Sequence, residues 1–320
     1  MQLRIAFGLI LVCVALTTSP IAAADEGGVS FWLPGQFGSF ASVPGSPGWS
    51  LGAVYFHSSA DAGGDRSFPR SGRITAGLDA NADLLFLAPN YIFGEPVLGG
   101  QAAIAVTGVF GRVKVDIDAT LTGPNGGTLS GSEVASLTAG GDLYGLGSIK
   151  WTNDVHNFMA YAMVGAPVGA YEPDRLANIG SGHAAFDVGG GYTYFDKKNE
   201  FSAALGFTYN LENPDTDYQN GVDAHLDWAA SRFISEQTHV GVAGYFFDQV
   251  SGDSGDGATL GDFKSRIAGI GPQLGHFYAV GQRVWYLNLK GFYEFSARNR
   301  PEGWNVWVTL SIPLSAPQTP

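Results

Sequence analysis

Between Phe201 and Asn210 the side chains change character at every step. Phe201, Ala203, Leu205, Phe207 and Tyr209 share one face of an extended chain, and Ser202, Ala204, Gly206, Thr208 and Asn210 share the other. A period of two is the mark of a β-strand with one apolar side, and it excludes a helix, whose apolar positions recur at three and four. Val222–Trp228 alternates in the same way, as do Trp285–Phe295 and Trp304–Ile312. About twelve such strands can be drawn, near 48–58, 74–93, 98–117, 136–152, 156–168, 184–195, 200–211, 221–233, 238–249, 263–278, 284–296 and 303–313.

The connections between them alternate. Ser59–Arg73, Asp118–Ala135, Gly169–His183, Glu212–Asn220, Val250–Asp262 and Ala297–Glu302 are long and polar. Gly94–Val97, Thr152–Val155, Asp196–Asn199, Ile234–Thr238 and Ala279–Arg283 are short. Long loops at one end and short turns at the other are how transmembrane barrels are wired. A sheet of about twelve strands closes around more space than side chains fill, so its polar face belongs inside, around water, and its apolar face outside, against lipid. Composition agrees. Only 14% of the 320 residues are charged, and the 46 glycines follow no collagen-like period. The expected class is an all-β, antiparallel up-and-down transmembrane barrel. Pro89 and Pro272 inside assigned strands remove ladder donors, which predicts a bulge or a shifted boundary at each.

Residues 1–24 read as a secretory signal peptide: a basic start with Arg4, an apolar run over Ile5–Leu16 and small residues Ala22-Ala23-Ala24. The one cysteine, Cys13, lies inside it, so the mature chain has no disulfide. Residues 25–47 are apolar and turn-rich, with Phe31-Trp32-Leu33-Pro34 at their centre. They predict either a plug-like segment in the barrel mouth or lumen, or an extension of the first strand on the rim. Residues 48–314 form the barrel and 315–320 a tail. The net charge of −12 argues against nucleic acid as a partner. The expected partners are outer-membrane lipid, a small solute and the barrel-assembly machinery.

Asp223, His225 and Asp227 fall at i, i+2 and i+4 on the polar face of one strand, and Asn288, Lys290 and Glu294 on the polar face of another. Lys290 and Glu294 are expected to pair across the lumen with the first trio and to line a solute path, since rings of charge tune pores. The Asp-His-Asp trio has donors that suit a divalent cation with help from a neighbouring strand, but a polar lumen wall of mixed charge accounts for it better, and no metal or cofactor is expected. Catalysis is not expected either: no nucleophile elbow, P-loop or His-Glu-x-x-His is present, and adjacent His57 and Ser58 point to opposite faces of a strand. Ser181-Gly182-His183 is the remaining pair that a membrane-embedded hydrolase would need. The Asp/Gly-rich run Ser251–Gly257 reads as an exposed loop.

Several stretches together carry a resemblance: Gly27-Gly28-Val29-Ser30-Phe31-Trp32-Leu33-Pro34-Gly35, His156-Asn157-Phe158-Met159, Pro167-Val168-Gly169-Ala170-Tyr171, Leu176-Ala177-Asn178-Ile179-Gly180, Gly190-Gly191-Tyr192-Thr193-Tyr194-Phe195-Asp196 and Gly303-Trp304-Asn305-Val306-Trp307. In this order they resemble the family labelled as involved in the meta-pathway of phenol degradation, over nearly the whole mature chain. The resemblance implies an outer-membrane barrel that takes up aromatic or other hydrophobic compounds, and it brings no site residues with it. The expected function is therefore a passive channel. A barrel with a closed lumen and working loops is the alternative.

Overall fold

The computed structural model describes residues 30–68, 72–122, 128–258 and 264–315; the expected signal peptide lies outside them. The strands are β1 (Gly48–Phe68), β2 (Gly72–Ile92), β3 (Gln101–Thr122), β4 (Thr128–Asn153), β5 (His156–Ala166), β6 (Ala185–Phe195), β7 (Asn199–Asn210), β8 (Asp223–Phe233), β9 (Thr238–Gln249), β10 (Arg266–Val280), β11 (Arg283–Arg298) and β12 (Glu302–Pro313). Each pairs antiparallel with its neighbours in sequence, and β1 pairs with β12, from Ser50 opposite Pro313 to Asp61 opposite Glu302, which closes the barrel. There is no helix among the described residues.

The wall is inside-out relative to a water-soluble protein. Along β7, Glu200, Ser202, Thr208 and Asn210 are buried, while Phe201, Leu205, Phe207 and Tyr209 are exposed. Buried polar groups survive only where they find partners, and here they find them on adjoining strands and on the segment that precedes β1. Glu200 accepts hydrogen bonds from Ser231 (2.6 Å) and Ser39 (2.8 Å), and Asp187 accepts from Thr208 at 2.7 Å. The apolar outer face is the one a hydrocarbon layer covers.

Strands β5 to β9 run 11 or 12 residues, close to the roughly 9–11 that cross a bilayer core when tilted. β1 to β4 are about twice as long, at 21, 21, 22 and 26 residues. The segments expected as loops at Ser59–Arg73 and Asp118–Ala135 are instead mostly strand, so the long–short alternation fails there; only residues 69–71 and 123–127 connect those hairpins. Ala297–Glu302 likewise shrinks to residues 299–301. The physical reason is visible in β3. Its outward positions Ile104, Val106 and Phe110 are 54%, 55% and 57% exposed and apolar, and the next ones are Arg112, Lys114, Asp116 and Asp118. Above Phe110 the outer face meets water, so the apolar–polar pattern that reveals a lipid-facing strand stops although the strand continues. The inner face changes in the opposite sense. Val109, Val113 and Val115 are buried, and Leu78, Ala82, Ile117, Ala135, Leu137 and Ala139 pack with them. The tall part of the wall is apolar within and charged without.

Neither proline makes a bulge or ends a strand. The β2–β3 ladder skips Ala88 and Pro89, and the β10–β11 ladder skips Gly271 and Pro272, with the register unchanged on either side. The register shifts fall between Gly108 and Phe110 and between Arg266 and Ala268. Four aromatics near strand ends, where interfacial girdles would place them outside, face inward instead: Phe56 packs at a tilt against Trp307 at 4.6 Å, Phe247 is buried, and Phe195 and Phe277 join the aromatic box described below. Trp49, Tyr55, Phe246, Tyr278 and Trp304 are exposed on the outside.

At the tight-turn end, Asp196 ties the β6–β7 turn. Its carboxylate accepts the backbone N–H of Lys198 (2.9 Å) and Asn199 (2.6 Å), and Lys197 takes a positive φ of 70°. The backbone of Asn199 first, then that of Lys198, holds the carboxyl well below the usual carboxylate range. A depressed folded value means that the contribution to the turn is complete above the ordinary carboxylate pKa of about 4 and is lost only as pH falls through the lower folded value. Hydrogen exchange at the Asn199 amide should therefore stay protected well into acid, and Asp196→Asn should abolish the acid-dependent loss of protection.

Candidate functional site

The chain before β1 turns back into the barrel. Residues 31–45 touch every strand from β3 to β11 on its inner face: Gln101 and Lys150 at one end, Tyr161 and Thr193 along one side, Asp227, Gln273 and Lys290 along the other. A segment in contact with that many strands of a closed sheet from one face lies in the lumen.

Its centre is held through its backbone. Asp227, on β8, accepts the N–H groups of Gly35 (2.8 Å) and Phe37 (3.0 Å) with its two carboxylate oxygens. Lys290, on β11, donates to the carbonyls of the same two residues, at 2.5 Å to Gly35 and 3.1 Å to Phe37. Acid and base thus grip one short loop from strands three apart in the wall, the carboxylate on its donors and the ammonium on its acceptors. Gly35, at φ 89°, is the residue that allows the turn: a side chain there would meet the rings of Phe292 and Tyr245 at 3.1 Å. Trp32 lies flat on His225, with centroids 3.5 Å apart and planes 15° apart. His225 is fixed in turn by Asp187 at 2.7 Å; the two are 1% and 0% exposed.

Phe40 occupies a box of rings at the tight-turn end. Phe195, Phe233, His239, Phe277 and Tyr286 surround it at centroid distances of 5.1–6.2 Å. Phe40→Ala empties the box and should cost about 2 kcal/mol, below the roughly 3–5 kcal/mol of a fully buried aromatic truncation because the ring is only half-buried. Denaturant unfolding in detergent reads this directly.

The expected site residues divide. Asp227, His225 and Lys290 come together around the segment. Asp223 sits at the long-loop end of β8, where Asn210 donates to it at 3.0 Å, and Asn288 donates to the Leu274 carbonyl at 3.3 Å. The expected pairing of Lys290 and Glu294 with β8 is not formed. Lys290 reaches the segment backbone, and Glu294 accepts from Tyr245 (2.6 Å), Asn305 (3.2 Å) and the Gly303 N–H (3.0 Å). Other partners take both groups up: the Gly35 and Phe37 carbonyls bind the Lys290 ammonium, and Tyr245 of β9 and Asn305 of β12 bind the Glu294 carboxylate. Of the expected plug residues, Trp32 stacks on His225, Phe31 packs at a tilt against Tyr144 at 5.5 Å and is buried, and Leu33 packs against the core. Pro34 is buried beside them. Phe37 and Phe40 contribute as much contact but escaped the sequence reading, because neither sits in an alternating or clustered pattern.

These positions acquire a family context from comparison with known proteins. The model of the family described as "Putative MetA-pathway of phenol degradation" matches residues 47–310. The chain belongs to that family. No curated protein matches it. Among solved structures, this MetA-pathway family member is similar to an outer membrane channel from Pseudomonas putida, with TM-score 0.65 at 13% identity, covering 85% of this chain and 98% of the other. A FadL homologue from Pseudomonas aeruginosa aligns at TM-score 0.42 and 7% identity, over 83% and 89% of the two chains. The first similarity shows a shared barrel fold. The family match begins at residue 47, so the lumen segment lies outside it.

Within the family barrel the Ser–His pairs do not assemble. The Ser181 hydroxyl donates to Asp142 (2.7 Å) and lies 2.8 Å from the His183 carbonyl, while the His183 ring contacts the Ala184 carbonyl. His57 pairs with Asp83 at 2.8 Å on the outer face, beside Trp304.

Proposed function

We propose that this family member is a passive conduit of the outer membrane for small hydrophobic or aromatic solutes, with residues 30–47 acting as a plug in its lumen. The observation that carries this reading is the change of lining along the path. Apolar residues of β2, β3 and β4 line the tall entrance, and polar residues with the gripped segment line the middle. An apolar solute leaves water at the entrance with a gain of roughly 25 cal/mol per Å² of surface covered. It then meets a constriction held by hydrogen bonds to backbone, which can be released without breaking the barrel ladder. The similarity to an outer membrane channel supports the same reading. Lipid covers the apolar belt, and the barrel-assembly machinery inserts the chain.

The test uses vesicles with lipopolysaccharide in the outer leaflet and the fluorescent apolar probe N-phenylnaphthylamine. Protein-containing vesicles should take up the probe faster than empty ones. Leu137→Asn, which makes the entrance polar, should slow the gain about fivefold, the factor that loss of ~1 kcal/mol of apolar contact gives. Uptake equal to that of empty vesicles would instead support a closed barrel whose loops do the work.

A further inference from the structure

The box around Phe40 is built like a ligand pocket, with the chain's own ring seated in it. Its walls come from five strands: Phe195 from β6, Phe233 from β8, His239 from β9, Phe277 from β10 and Tyr286 from β11. These rings hold one another without Phe40. Phe277 stacks on Tyr286 at 4.6 Å, and His239 stacks on Tyr286 at 6.0 Å. Phe233 packs at a tilt against both His239 (5.3 Å) and Phe195 (5.6 Å). The His239 Nε2 lies 3.0 Å from the Tyr286 hydroxyl, which ties two of the walls by a hydrogen bond. The closed ladder fixes all five backbones, so the box stays assembled when its occupant leaves.

Phe40 is the weakly held member. Its φ of 65° lies in the left-handed region, which is unfavourable for a residue with a Cβ. Strain of this kind collects at ligand clamps and switches. The ring in the box holds the residue there, together with its backbone N–H, which is shared between the Ser202 hydroxyl (3.0 Å) and the Glu200 carboxylate (3.2 Å). Four of the five wall rings meet Phe40 edge to face. That arrangement depends on the ring alone, and a free aromatic molecule adopts it as readily as a side chain does. Phe40 and every wall ring except His239 are only half-buried, so the box is open to water.

We infer that the box is a subsite for one monocyclic aromatic ring of the solute, that Phe40 is its resting occupant, and that a solute ring displaces Phe40 and frees residues 38–43 of the lumen segment. The inference deepens the conduit reading and rests on it for the arrival of the solute, but displacement itself is measured without transport. Solute and segment compete for one place. A solute that binds only the displaced state shifts the equilibrium by its affinity for that state.

Toluene is added to the detergent-purified full chain, with cyclohexane as a saturated ring of similar size. Hydrogen exchange at the Phe40 and Ser42 amides, which donate to Ser202 and Thr193, reports the segment. Toluene should speed this exchange in a saturable way, and cyclohexane should have little effect. Phe40→Leu keeps the side chain apolar but removes the ring–ring contacts, so the toluene concentration for half the effect should fall about fivefold. In Phe40→Ala the box is vacant, and toluene should raise the denaturant midpoint more than cyclohexane does, since an apolar cavity of ring size takes up benzene. Equal effects of toluene and cyclohexane, no effect of toluene on exchange, or an unchanged half-effect concentration in Phe40→Leu would each overturn the subsite. Release of the segment by toluene without probe entry into vesicles would keep the subsite and remove the conduit; probe entry without such release would do the reverse.

Discussion

Deleting residues 25–43 will raise single-channel conductance in planar bilayers by about an order of magnitude, because a closed barrel of this width is a water-filled pore unless something fills it. The segment touches every strand from β3 to β11, so its removal clears the lumen from the Trp32–His225 stack to the Phe40 box. Backbone pairing of the wall is untouched, since β1 pairs with β12 only from Ser50 onward. The deleted protein should fold and run as a heat-modifiable barrel on gels. Unchanged conductance would mean that the segment restricts nothing and that the entrance or the loops set the resistance.

Lys290→Met will destabilise the protein by about 3 kcal/mol in denaturant unfolding, more than loss of its two hydrogen bonds would, because it leaves the buried Asp227 carboxylate without a nearby cation. The pair is not in direct contact; both charges are spent on the Gly35–Phe37 backbone between them. The double variant Asp227→Asn with Lys290→Met should recover part of the loss, since no uncompensated charge remains. Both variants should loosen the segment, read as faster proteolysis near Gly35 and as a change in Trp32 fluorescence when the stack on His225 opens. Additive losses in the double variant would show that the two charges do not act on one loop.

The strands that lie in lipid were legible in the sequence and the parts above it were not. β7 announces itself because lipid demands Phe201, Leu205, Phe207 and Tyr209 on one side and the lumen accepts Ser202, Thr208 and Asn210 on the other. β3 above Phe110 reverses that demand, so the strand was drawn only to residue 117 and Asp118–Ala135 read as loop, although the ladder to β2 continues to Thr122. The site was half legible. A polar side chain on a lumen face is visible as a break in apolarity, which picks out His225, Asp227 and Lys290. Its partner is not visible, because Asp227 and Lys290 bind peptide groups, and a peptide group carries no sequence signature.

The height of β1 to β4 has a consequence for where a solute first touches the protein. From Arg112 to Thr122 the strand rises about 35 Å along its own axis at about 3.3 Å per residue, and less when tilted. That is comparable to the thickness of a layer of surface sugars. With Val113, Val115 and Ile117 on its inner side, the wall of the proposed conduit would work as a chimney. It would offer an oily surface beyond the hydrated layer that otherwise shuts such molecules out.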